Sequence, residues 1–154
     1  MRSNISLIGV MPDYNNKVAR ILADKLDAFY LDGLEYIIYE ITHPIETYIS
    51  DFGKELYEQN EKKAIKALED YENTIIVVPL SVVEKKPLLE HLRTHSWTVL
   101  LTANLNSLRQ RKGGQYSYQK ELEPLADISL DATGLSADKC AKEIMKKFIS
   151  IMEG

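Results

Sequence analysis

The sequence predicts an α/β fold, a three-layer α/β/α sandwich built on a five-stranded parallel sheet. Two observations lead to this prediction. Short apolar runs rich in β-branched residues recur along the chain without polar alternation, and longer segments with helical spacing separate them. Strands of this kind are buried on both faces, which is typical of a parallel sheet covered by helices on each side.

The predicted elements follow from local pattern alone. The strands are the apolar runs at residues 5–10, 28–31, 74–78, 98–101 and 128–130. Helices are predicted where apolar residues recur on one helical face. Three such faces are Val18, Ile21, Leu22 and Leu26; Ile65, Leu68 and Tyr71; and Ile144, Phe148, Ile149 and Met152.

Length and composition favour one domain spanning residues 1–154, because 154 residues with 45% hydrophobic content can bury one sizeable core. The net charge of -4, with basic residues scattered among acidic ones, gives no nucleic-acid footprint. The single cysteine, Cys140, excludes an internal disulfide and is expected to be a small buried residue. Without a signal segment at its start or a membrane-spanning run, the chain is expected to be soluble and cytoplasmic, with no membrane contact.

Three histidines raise the question of a metal site. His91 and His95 are four residues apart, a spacing that brings two imidazoles together on a helix. No third ligand accompanies them in the sequence, and His43 lies far away along the chain. We therefore expect a solvated helix face at His91 and His95, and no metal site.

Ligands of an open parallel sheet bind beyond the carboxyl ends of its strands. Those ends are residues 9–17, 32–35, 79–82 and 102–104. Around them the chain resembles the shikimate kinase family of the phosphate-loop NTPase fold, in order and over almost its whole length. The resemblance rests on "ISLIGVM" with "VARILADKL", "FYLDGLEYII", "DFGKELYEQNE", "TIIVVPLSVV", "VLLTANLNSLRQR" and "PLADISLD".

The resemblance implies ATP- and Mg²⁺-dependent phosphorylation of shikimate, a step of aromatic amino acid biosynthesis. It places three residues of this chain at functional positions. Gly9 matches the first glycine of the phosphate loop, Asp32 the first acid of an Asp-x-Asp pair, and Arg111 the arginine of Leu-x-x-Arg. Asp32 is then the candidate catalytic residue, with helix capping as the alternative, and Arg111 could equally cap a helix.

The phosphate loop departs from its pattern, G-x-x-x-x-G-K-[ST], at most positions. Its second glycine falls on Tyr14, its lysine on Asn15 and its hydroxyl residue on Asn16, while Pro12 replaces a further glycine. Proline offers no N–H to a phosphate, and asparagine supplies neither the lysine's charge nor a good magnesium ligand. With Asp13 between them, these residues make a degenerate loop.

Lys17 is the remaining candidate for the missing cation. Two residues along a helix turn a side chain by about 200°, so Lys17 replaces the lysine only if the helix start shifts.

The substrate side is also altered. The second acid of the Asp-x-Asp pair falls on Leu34, the carboxylate-binding arginine falls on Glu58, and a glycine triplet becomes "PLS" at residues 79–81. The lid is shortened to about residues 112–120. At least three charge-assisted partners are thus missing or reversed, each worth about 1.5–3 kcal/mol.

Three hypotheses follow. The first is a shikimate kinase-like protein without phosphoryl transfer, a pseudokinase that needs no cofactor and has a regulatory role through a protein partner or its own oligomer. The second is a weak or altered kinase that uses Lys17, Asp32 and Arg111 with ATP and Mg²⁺. The third is a small-ligand or cation-binding module, since the old pocket would be acidic. Its acids would be Asp13, Asp32, Glu35 and Glu58.

Overall fold

The computed structural model describes residues 2–104, 106, 108 and 116–153, without the side chains of 116–118 and 151–153. Its five strands form one sheet in the order β2-β3-β1-β4-β5, and every adjacent pair is parallel. The strands are β1 (Asn4–Gly9), β2 (Phe29–Asp32), β3 (Thr74–Val77), β4 (Ser96–Thr102) and β5 (Ile128–Asp131). The predicted fold class is confirmed, and each strand boundary lies within two residues of its prediction.

Helices connect the strands and cover both faces of the sheet. They are α1 (Pro12–Leu26), α2 (Gly33–Ile41), α3 (Ile45–Phe52), α4 (Lys54–Ala67), α5 (Leu80–Val83), α6 (Lys86–Arg93), α7 (Tyr116–Leu122) and α8 (Ala137–Glu153). None of the helices in this described part of the chain is both long and apolar enough to cross a membrane.

The core lies in two layers, one on each face of the sheet. Successive residues of β1 divide between them, because side chains alternate along a strand. Leu7 packs with α1 and α8 on one face, and Ile8 packs with α2, α4 and α6 on the other, both fully buried. This two-sided burial is the reason for the continuous apolar runs in the sequence.

One predicted helical face extends too far. α4 ends at Ala67 and a 3₁₀ turn, Leu68–Asp70, follows it, so Tyr71 lies outside the helix and is 38% exposed. The helical spacing continues through Tyr71, but the chain leaves the helix before that residue. On α8 the predicted helix is observed and includes Ile149, which is 54% exposed.

Candidate functional site

The segment after β1 contains almost no loop. β1 ends at Gly9 and α1 begins at Pro12, so only Val10 and Met11 connect them, and both are buried. The residues aligned with the end of a phosphate loop, 12–16, are helical instead. Proline at the first helical position has the φ that a helix requires. Pro12, which replaces a glycine of the pattern, therefore also begins the helix early.

Main-chain donors at this helix start are few. Pro12 has no N–H, and the Asn15 N–H donates to Met11 O at 2.8 Å within the first turn. Asp13 lies in the same turn and is exposed. Its carboxylate puts negative charge at the positive end of the helix dipole, where a phosphate would otherwise bind.

Tyr14 occupies the position of the second glycine. Its side chain is only 7% exposed and belongs to the core beneath α1 and α8. The hydroxyl donates a hydrogen bond to Leu135 O at 3.1 Å, which connects the start of α1 to the segment before α8. The ring is therefore part of the fold's packing.

Asn15 occupies the lysine position and is 1% exposed. Its Nδ2 lies close to Gly9. A Cβ on Gly9 would lie 3.3 Å from this atom and 2.7 Å from Leu101 O, so the position has no room for a side chain. Gly9 also has a φ of 152°, which other residues rarely adopt. Among the described residues, Asn15 Oδ1 has no hydrogen-bond partner.

Asn16 occupies the position of the magnesium-binding hydroxyl. The Tyr30 hydroxyl donates a 2.7 Å hydrogen bond to Asn16 Oδ1, which holds the amide against β2. One turn further along α1, the Arg20 guanidinium lies over the Tyr30 ring at 5.1 Å from its centroid. The neighbouring Tyr30 side chain raises the pKa of Arg20 above its usual value.

Lys17 is exposed, whereas Asn15 and Val18 on either side of it are buried. It lies on the solvent face of α1, as the rotation per residue requires.

Asp32 ends β2 and is the N-cap of α2. Its Oδ1 accepts from Leu34 N at 3.0 Å and from Glu35 N at 3.4 Å. The next residue, Gly33, has no room for a side chain, because a Cβ there would lie 2.5 Å from Val77 O. The capping role predicted as the alternative for Asp32 is thus observed, and the carboxylate keeps a partly exposed position at the strand end.

On the substrate side, Glu58 is exposed on α4 and pairs with Lys54 at 3.8 Å. One turn later Glu61 is fully buried. Its Oε2 accepts from the Tyr57 hydroxyl at 3.0 Å, and its Oε1 lies 2.6 Å from Lys85 Nζ. Glu61 is the last residue of the segment "DFGKELYEQNE", but nothing in the local sequence predicts its burial or its pairing with Lys85.

The glycine triplet is replaced by a helix start. Pro79 is the N-cap of α5, and Val82 and Val83 of that short helix are buried.

Aromatic rings pack against one another along α3 and α4 and just before α3. These are His43, Tyr48, Phe52 and Tyr57, with ring centroids 4.9–6.3 Å apart.

The expected solvated face at the two histidines is wrong for His95, which is 8% exposed. α6 ends at Arg93, so His95 already lies in the chain that turns into β4. Burial and the neighbouring His91 lower the pKa of His95. His91 Nε2 lies 3.4 Å from Glu69 Oε2, yet no group of three potential metal ligands occurs among the residues that the structure covers.

Arg111 and residues 112–115 of the predicted lid lie outside the described residues. The rest of that lid, residues 116–120, belongs to α7. There Gln119 contacts the end of β4 through two hydrogen bonds with Ala103, from Nε2 to the carbonyl at 2.6 Å and from the amide to Oε1 at 3.2 Å.

A family model for shikimate kinase matches residues 16–125, well over half of the chain. The chain belongs to the shikimate kinase family. The match begins immediately after residues 9–15, the segment in which Pro12, Tyr14 and Asn15 stand at positions where the phosphate-loop pattern has glycine or lysine. No curated protein sequence shows significant similarity to the chain.

Solved structures of shikimate kinases have the same fold. The enzyme from Aquifex aeolicus is similar with a TM-score of 0.83 and 18% identity, covering 97% of this chain and 98% of that one. The enzyme from Acinetobacter baumannii, in complex with shikimate, is similar with a TM-score of 0.79 and 19% identity, covering 97% of this chain and 94% of that one. A gluconokinase from Sinorhizobium meliloti is similar with a TM-score of 0.60 and 13% identity, covering 99% of this chain and 96% of that one.

Proposed function

We propose that this member of the shikimate kinase family has kept the fold and lost ATP-dependent phosphoryl transfer, and that it acts as a pseudokinase with a regulatory or partner-binding role. One observation carries the proposal. Only Val10 and Met11 separate β1 from α1, so the strand leads directly into a helix where a phosphate loop is needed.

The residues at that junction do not fit Mg-ATP. A phosphate loop wraps successive main-chain N–H groups around the anion, with a lysine over the phosphates and a hydroxyl on the metal. Here the corresponding positions are a core tyrosine, a buried asparagine, and an asparagine bonded to Tyr30. We therefore expect neither ATP nor magnesium as a cofactor.

The substrate positions support the same proposal. The arginine that would bind a carboxylate is Glu58, which has the opposite charge. Asp32, the remaining acid of its pair, has its Oδ1 occupied by the two amides of the α2 cap. Loss at both the nucleotide and the substrate positions is expected when neither ligand is used.

Family membership itself favours the second candidate, a weak or altered kinase. Asp32 retains its place at the end of β2, and Lys17 is an exposed cation near the start of α1. ATP turnover that disappears in Lys17→Ala would establish this function and refute the pseudokinase.

The deciding experiment is calorimetric titration of the full chain with Mg-ATP and then with shikimate. The proposal expects no heat of binding from either, at protein concentrations that reveal millimolar affinity. Arg20→Ala is the control for Lys17→Ala, because it removes another cation of α1 that lies outside the loop pattern. Saturable binding of Mg-ATP to the wild-type chain would overturn the proposal.

A further inference from the structure

The strand β2 forms one edge of the sheet. Its Phe29 N–H donates to Asn73 O on the β3 side at 2.9 Å. Since the main-chain groups of alternate residues in a strand point to opposite sides, the N–H and C=O of Tyr30 point away from β3 to the open edge. Unpaired groups of this kind are a template for another extended chain.

A groove of about 520 Å³ runs along this edge. Its lining includes the β2 residues Phe29, Tyr30 and Leu31, with Tyr71 opposite them. The Phe29 side chain is 71% exposed and that of Tyr71 is 38% exposed. Exposed aromatic rings beside unpaired main-chain groups offer both the apolar contact and the hydrogen bonds that an added strand uses.

The groove is acidic. Asp70 and Glu72 flank Tyr71 in its lining, and both are exposed. Within the described part of the chain neither carboxylate forms an ion pair. Two uncompensated carboxylates beside aromatic faces attract guanidinium or ammonium groups, whose carbon stems also pack on the rings.

We propose that the β2 edge docks an extended segment of a partner protein in which apolar residues alternate with arginine or lysine. The segment adds a strand beside Tyr30, places its apolar side chains against Phe29 and Tyr71, and its cations near Asp70 and Glu72. This inference rests on the proposed function, because it identifies the surface through which a non-catalytic family member binds its partner.

A second copy of this chain is a poorer occupant of the groove. A second β2 edge has no basic residue in its own groove lining, so pairing two β2 edges would leave Asp70 and Glu72 of each copy without a cation. The other edge, beside β5, has lysines on α8, and two of them already have acidic partners: Lys142 pairs with Asp138 and Lys146 with Glu143. Charge therefore favours a different, basic chain.

The test uses the ¹⁵N-labelled full chain and three heptapeptides. The first alternates valine with arginine, the second alternates valine with glutamate, and the third is the first with N-methyl groups on the edge-facing amides. We expect the arginine peptide to bind and the glutamate peptide not to bind, with the largest amide shifts at Phe29, Tyr30 and Leu31. N-methylation removes the added strand's donors and should weaken binding by about tenfold or more.

Variants define the role of charge. Asp70→Asn with Glu72→Gln should weaken the arginine peptide by about tenfold and reduce the salt dependence of its affinity. Glu46→Gln with Asp51→Asn removes the same charge from exposed positions on α3 and should leave binding unchanged. Equal binding of the glutamate peptide, or equal effects of the two double variants, would refute the proposal.

Two other outcomes would also overturn it. One is the absence of shifts at β2 with millimolar arginine peptide. The other is concentration-dependent self-association of the chain with shifts at the same amides, which would assign the edge to a second copy. The ATP titration is independent of these results. A chain that binds both Mg-ATP and the peptide refutes the pseudokinase but keeps the docking edge, and a chain that binds neither refutes the edge alone.

Discussion

Lys85 Nζ lies 2.6 Å from Oε1 of Glu61, and this ion pair joins α4 to the start of α6. The Glu61 side chain is fully buried, whereas that of Lys85 is 36% exposed. A buried carboxylate requires a neutralising partner, because desolvation of an unpaired charge costs several kcal/mol. The pair therefore fixes how α4 and α6 pack together.

Removal of the lysine should be strongly destabilising. We expect Lys85→Met to lower the free energy of unfolding by about 3 kcal/mol, at the low end for a buried pair because Lys85 is partly solvated. Urea denaturation monitored by circular dichroism measures this loss. The matched control is Lys54→Met, whose partner Glu58 is exposed, with an expected change of about 0–1 kcal/mol. Similar losses in both variants would contradict the buried-pair explanation.

Restoring the lysine of the phosphate loop should not restore the site. Asn15 is 1% exposed, so Asn15→Lys places an ammonium in the core beside Gly9. We expect a loss of about 2–4 kcal/mol in the free energy of unfolding, and no heat of Mg-ATP binding by calorimetry. Lys17→Ala, on the exposed face of the same helix, should change stability by less than about 0.5 kcal/mol. A stable Asn15→Lys protein that binds Mg-ATP would mean that the junction can rearrange into a loop.

Stability should fall with acidification because of His95. Burial, together with the nearby His91, lowers the pKa of His95 in the folded state. The unfolded chain, with an imidazole pKa of about 6.5, then binds a proton first, so stability is full above about pH 6.5 and decreases as the pH falls toward the folded value. Urea midpoints at pH 8 and pH 5 would measure this change. His95→Leu should flatten the dependence, and His43→Gln controls for loss of a histidine. An unchanged slope in His95→Leu would contradict the assignment.

The thiol of Cys140 should be unreactive in the native protein. Burial raises its pKa, and the side chain is fully inaccessible. Since the thiolate is the nucleophile, a disulfide reagent should modify Cys140 only after unfolding. We expect negligible release of the thiol chromophore at neutral pH and one equivalent in denaturant. Rapid labelling of the folded chain would show that α8 opens readily.

Several features of the site were predictable because they depend on residue type at a fixed place in the chain. Missing glycines and the missing lysine can be read at residues 12–16 without coordinates. The exposed position of Lys17 follows from helical rotation. The capping role of Asp32 follows from an acid placed directly before a helical pattern.

Other features were not predictable, because their partners are distant in the chain. Glu61 and Lys85 are separated by two dozen residues, and nothing local to either indicates that one is buried and the other neutralises it. Tyr14 similarly bonds to Leu135, which lies at the far end of the sequence. The helical spacing of His95 from His91 predicts a solvated helix face, whereas α6 ends before His95.

The sequence by itself determined the parallel α/β fold and the mismatch between residues 12–16 and the phosphate-loop pattern. Both depend on short segments of the chain: the fold on hydrophobic periodicity, and the loop on the chemistry of individual side chains. Tertiary structure alone decided that the junction after β1 is a packed helix start, that Glu61 is neutralised by Lys85, and that an acidic aromatic groove borders β2. These depend on which distant residues the folded core brings into contact.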